Sequence, residues 1–83
     1  MNADEVLNGV LNEISVISGR TVSALFPDGG LKENGIDSMG FVELLLAVKR
    51  LYGVNLVDAG LRAQDVRSIR ALAEKIAEKQ SAE

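Results

Sequence analysis

The stretch Gly35-Ile36-Asp37-Ser38-Met39-Gly40-Phe41-Val42-Glu43-Leu44-Leu45-Leu46-Ala47-Val48-Lys49-Arg50-Leu51-Tyr52-Gly53 decides the fold. Its spacing predicts a helix over Ser38–Tyr52, with Asp37 or Ser38 as the cap and Gly53 just past the end. The apolar residues cover more of the circumference than one amphipathic face requires. They separate into two stripes. Phe41, Leu44, Leu45, Val48 and Tyr52 share one face and suit a core; Met39, Val42 and Leu46 follow i, i+3, i+7 along another.

Working outward, Val6, Leu7, Val10, Leu11, Ile14 and Ile17 show the three-and-four spacing of one buried face, which predicts a first helix from Ala3 to Ser18. Asn2 with Glu5 resembles a capping box, and Gly19 is placed to end the helix. Arg20 to Ile36 contains one Pro and three Gly and has no period, so it reads as a long loop. Structureless loops of that length are uncommon, so Leu25, Phe26, Leu31 and Ile36 are expected to plug the core, with a helical turn near Leu31 to Asn34. Beyond Gly53, Asp58 and Gly60 mark turns, and Leu61 to Val66 has room for a short third helix. Ile69, Leu72, Ala73 and Ile76 share a face in a last helix capped by Ser68, with Lys75 and Lys79 suited to its negative end. The expected fold is all-α, a four-helix arrangement in one domain over residues 1–83, with an ordered core of about 3–78 and a fraying tail over 79–83.

Composition narrows the function. A chain of 83 residues supports one small core, burying about 60–65% of the surface its unfolded form exposes. There is no cysteine, which excludes disulfides and thiolate metal sites, and no histidine, which removes the usual general base and zinc ligand. Carboxylates, lysines and hydroxyls remain, and a serine without an adjacent base is a poor nucleophile. The chain is therefore not expected to be an enzyme. A net charge of −3, with Lys49-Arg50 the one adjacent basic pair, argues against a nucleic-acid partner. No run approaches the roughly 18 apolar residues of a membrane span, and Met1-Asn2-Ala3-Asp4-Glu5 lacks the basic-then-apolar order of a signal peptide. A cytoplasmic monomer is the resulting expectation.

At the head of the central helix, three features coincide: a Gly that lets the chain turn, an Asp-Ser pair, and an apolar stripe that starts one residue later. Taken alone, Ser38 is an ordinary helix cap. Likewise the second stripe alone is compatible with a central helix buried all round.

Gly35-Ile36-Asp37-Ser38-Met39-Gly40-Phe41-Val42-Glu43-Leu44 closely resembles the attachment motif of acyl and peptidyl carrier proteins, whose usual form is Gly-X-Asp-Ser-Leu followed by a helix. Leu31-Lys32-Glu33-Asn34 resembles the family's approach to the serine, Tyr52-Gly53-Val54 its aromatic-then-turn ending, and Ser68-Ile69 with Leu72 the start of its last helix. The resemblance covers about residues 5 to 77. It implies a four-helix bundle of the acyl-carrier type with a long first loop and a short third helix. It also implies that Ser38 takes a 4′-phosphopantetheine arm from coenzyme A, added by a phosphopantetheinyl transferase that Asp37 assists, and that the arm holds an acyl, aminoacyl or peptidyl group as a thioester. A loading ligase and downstream synthase, condensation or transfer enzymes would be the partners, meeting Met39, Val42 and Leu46 with Glu43 on the rim. Fatty-acid carriers of the family have an acidic second helix, whereas this one carries Glu43 alone and ends on Lys49 and Arg50. The segment looks more like D-alanyl or free-standing peptidyl and aminoacyl carriers, of natural-product biosynthesis among other pathways. Gly40, unfavourable in a helix by about 0.5–1 kcal/mol against Ala, suggests a close approach there, a partner's backbone being one candidate. The competing reading is a non-carrier interaction domain that uses the Met39, Val42 and Leu46 strip and never receives the arm.

Overall fold

In the computed structural model, which describes residues 2–81, the first helix, α1, runs Ala3–Ser18 as the periodicity predicts. Asn2 Oδ1 accepts the Glu5 N–H at 2.9 Å and the Glu5 carboxylate reaches back to the Asn2 N–H, so the capping box is formed. Gly19 closes the other end, its N–H donating to the Ser15 carbonyl. Helix α2 spans Ser38–Tyr52 and α3 spans Ile69–Ser81. Ser68 caps α3 through its Oγ, which accepts the Ala71 N–H at 2.9 Å. The tail expected to fray over 79–83 is instead helical over 79–81, and Ala82 and Glu83 lie outside the described residues.

Helix α1 is the hub. Its buried face, Val6, Leu7, Val10, Leu11 and Ile14, packs most extensively against Ile69, Leu72, Ala73 and Ile76 of α3 and less against α2. Ile14, Leu44, Leu56, Ile69, Leu72 and Ile76 are fully enclosed; cutting any of them to Ala would cost about 2–5 kcal/mol. Because α2 meets α3 only slightly, one side of α2 has no helix over it. Its second apolar stripe is therefore left outside the core.

Among the described residues there are three α-helices and no strand, so the fold is all-α, but the expected short third helix is not α-helical. Ala63–Val66 forms one 3₁₀ turn. Four residues between Arg62 and Arg67 are too few for an α-helical ladder to offset the cost of starting it. Asp65 fixes the turn, its Oδ2 accepting the Arg62 N–H at 2.9 Å and lying 3.7 Å from Lys75 Nζ of α3.

The long loop is ordered around Asn34. This side chain is fully buried; its Oδ1 accepts the Phe26 N–H at 2.7 Å, and its Nδ2 donates to the Phe26 and Gly30 carbonyls at 3.0 and 2.8 Å. Leu25 and Ile36 plug the core as expected, Leu31 is half-buried, and the chain turns over residues 31–35. Phe26 is a correction: it is 64% exposed. Both polar groups of its backbone turn inward to Asn34, which directs the ring outward. A 3₁₀ turn at Val22–Ala24 lies in the same loop. The loop in turn serves α3, since the Gly29 and Pro27 carbonyls accept the Ile69 and Arg70 N–H groups.

Candidate functional site

The start of α2 is built by Asp37. With extended backbone (φ −89°, ψ −170°), this residue is the N-cap: its Oδ1 accepts the Gly40 N–H at 2.8 Å and its carbonyl accepts the Phe41 N–H at 2.8 Å. Ser38 is thereby the first helical residue, exposed, with no cap to form. Its hydroxyl makes no hydrogen bond among the described residues. The hydroxyls of Ser15, Ser18, Ser23 and Ser68, by contrast, are each engaged with a neighbouring group. The backbone N–H groups of Ser38 and Met39 likewise take no protein acceptor among the described residues, as is usual in the first turn of a helix. An uncommitted hydroxyl beside uncommitted N–H donors, at the positive end of a helix dipole, favours a negatively charged substituent.

Gly40 corrects one expectation. It is buried, and a Cβ built on it would lie 3.1 Å from Ile17 Cγ2 of α1, 3.3 Å from Asp37 Oδ1 and 3.4 Å from Ile36 Cγ2. The close approach is thus made within the fold, by α1 and by the cap, and not by a partner's backbone. Absence of a side chain at 40 lets the head of α2 seat on α1, and so fixes where Ser38 stands.

The second stripe lies on the surface. Met39 is 71%, Val42 50% and Leu46 65% exposed, and Glu43 between them is exposed as well. The residues of the first stripe face the other way, with Leu44, Val48 and Tyr52 buried and Phe41 and Leu45 half-buried. Two residues not expected from the pattern widen the strip. A groove joins Val42 and Leu46 to the exposed Val57, and another joins Leu46 and Glu43 to the exposed Val16 of α1, beside the Glu13–Arg50 ion pair. Val16 falls off the buried period of α1, a signal present in the sequence. Val57 follows the alternation of buried Val54 and Leu56 by one residue, too short a run to read.

Beside Ser38 a further groove, of about 660 Å³, runs along the loop side of α2 between Leu31 and Phe41. No helix is long and apolar enough to cross a membrane among the described residues. No family model matches the chain, and comparison with curated proteins and with solved structures likewise returns no match.

Proposed function

We propose that the chain is a carrier protein, of acyl-carrier type, that holds an acyl, aminoacyl or peptidyl group on a 4′-phosphopantetheine arm attached to Ser38. The observation that carries this reading is the division of labour at the head of α2. Asp37 does the capping, so the exposed Ser38 hydroxyl has no structural task. The resemblance of Gly35-Ile36-Asp37-Ser38-Met39 to the carrier attachment motif supplies the rest.

The residues present fit such a group. Ser38 is exposed, the Ser38 and Met39 N–H groups have no protein acceptor among the described residues and so are available to a phosphate there, and an apolar groove opens alongside. When bound, the arm supplies a thiol that holds the cargo as a thioester, the one reactive group this cysteine-free chain lacks. The chain's own residues present and orient. Ser38 offers its hydroxyl to the pyrophosphate of coenzyme A, whose P–O bond breaks to release 3′,5′-ADP, and because this chain has no histidine, the proton it gives up is taken by a base of the transferase. Asp37 holds the helix start while its exposed carboxylate remains open to the transferase. Met39, Val42 and Leu46 offer partners a surface that can be desolvated without disturbing the core, and the flexible Met39 thioether adapts to more than one partner. With Glu43 the sole acidic residue of α2 and Lys49 and Arg50 in its last turn, an aminoacyl, peptidyl or polyketide-type partner set fits better than a fatty-acid one.

Incubation with coenzyme A and a broad-specificity phosphopantetheinyl transferase tests this reading. The protein is expected to gain the mass of one arm and Ser38→Ala to gain none; an unchanged wild-type mass overturns it. The exposed strip would serve equally a non-carrier interaction domain. In that case Ser38→Ala would complement a deletion in cells while Met39→Glu would not, whereas a carrier fails with either.

A further inference from the structure

The geometry points to a seat for the arm on the domain itself: Leu31, Ile36 and Phe41 receive its aliphatic portion, and Lys32 meets the phosphodiester. This inference rests on the carrier reading and goes beyond it, since attachment at Ser38 requires no such seat. Ser38 is itself one wall of the groove. Buried Ile36 and half-buried Leu31 and Phe41 form an apolar floor, and Lys32, Asp37 and Ser38 are its exposed rim.

One cation, Lys32, stands on this rim, and a second, Arg20, stands beside Gly35; neither has a carboxylate partner among the described residues. Lys32 lines the groove and Arg20 lies across Gly35, its Nε 3.0 Å from where a Cβ on Gly35 would stand, held there by donation from Nη1 to the Glu33 carbonyl at 2.8 Å. Neither belongs to an ion pair among the described residues. The nearby Glu33 carboxylate accepts the Gly30 N–H and Asp37 accepts that of Gly40, so each acid already has a backbone partner.

The occupant is fixed by its tether. A chain joined at Ser38 begins with a phosphodiester anion, continues through a carbon bearing two methyl groups, and then alternates amides with short methylene runs. Anion, branched aliphatic segment and amides meet, in that order, a cationic rim, an apolar floor and open solvent. A covalent tether makes contact with the adjoining groove an intramolecular event, so even weak complementarity is populated. The groove at Val42, Leu46 and Val57 is a poorer seat for this segment. It begins at Val42, about 6 Å of helix rise beyond Ser38, and Ser38 does not line it.

Isotope-labelled protein loaded from unlabelled coenzyme A tests the seat, with the mass confirming attachment. Filtered NOEs are expected from the geminal methyls of the arm to Leu31, Ile36 and Phe41, with amide shifts reaching back to Leu31. In Lys32→Glu, a change at an exposed side chain that leaves the core intact, those NOEs are expected to be lost. NOEs to Val42, Leu46 and Val57 in their place, shifts confined to Asp37–Met39, or NOEs unchanged in Lys32→Glu overturn the inference while leaving the carrier reading intact. A protein that gains no mass overturns both.

Discussion

Asp37 Oδ1 accepts the backbone N–H of Gly40 at 2.8 Å, and this bond relieves Ser38 of the capping role that its position would otherwise give it. Two properties of Asp37 are thus separable, its shape as a cap and its charge. Asp37→Ala is expected to cost about 1 kcal/mol of stability, and Asp37→Asn, an equally good cap, less than about 0.5 kcal/mol. If the transferase reads the carboxylate, both variants load more slowly, by roughly tenfold for one charge-assisted hydrogen bond. Urea denaturation and initial loading rates, measured on the same two variants, check this. An Asn variant with wild-type rate assigns Asp37 to the cap alone.

Tyr52 anchors the end of α2 on α1 by occupying the space that Gly9 leaves empty. A Cβ at position 9 would lie 1.9 Å from the Tyr52 hydroxyl oxygen and 3.2 Å from Cζ. Gly9→Ala should gain about 1 kcal/mol in helix propensity but lose about 1–3 kcal/mol to overpacking, and with so close a contact the upper part of that range applies, a net destabilisation of up to about 2 kcal/mol. Tyr52→Phe in the same chain removes the nearer atom and is expected to recover part of the loss. A double-mutant cycle by chemical denaturation measures the coupling.

Burial pushes the Tyr52 phenol above its usual pKa of 10.0, and the charge of Glu13 adds to the effect. The folded state therefore holds a proton that the unfolded chain has released, so this contribution is intact below about pH 10 and is lost as pH rises through the folded value. Stability of the wild type relative to Tyr52→Phe is expected to be constant between neutral pH and about pH 9, then to fall in alkali. Denaturation of both proteins across that range would reveal a parallel decline if Tyr52 contributes nothing.

Asn34 is the buried polar residue that gives the long loop one conformation. Asn34→Ala would leave the Phe26 N–H and the Phe26 and Gly30 carbonyls without that partner, at a cost on the order of 3 kcal/mol. Asn34→Asp, which loses both donated bonds and buries a charge, is expected to be worse. Because the same loop caps α3 through the Pro27 and Gly29 carbonyls, amide exchange should rise at Ile69 and Arg70 in either variant.

The helices were readable because their signals are local and periodic. Val6 to Ile14, the cap pairs Asn2–Glu5 and Ser68–Ala71, and the terminal Gly19 and Gly53 all lie within a few residues of what they determine. The surplus stripe on α2 was readable for the same reason, as helical geometry alone separates Met39, Val42 and Leu46 from the core face. What escaped the sequence depends on contacts between distant segments. Phe26 reads as a core residue until Asn34 is seen holding its backbone. Gly40 suggests an external partner until Ile17 is seen against it, and Gly9 carries no signal without Tyr52. A turn at Ala63–Val66 is legible in the sequence, but the contact of Asp65 with Lys75 of α3 is not.

The most direct measurement is fragment mass spectrometry of the protein after exposure to the transferase and coenzyme A. One arm is expected, on the peptide containing Ser38 and on no peptide carrying only Ser15, Ser18, Ser23, Ser68 or Ser81. An arm on any of those serines, or on none, would contradict the carrier reading.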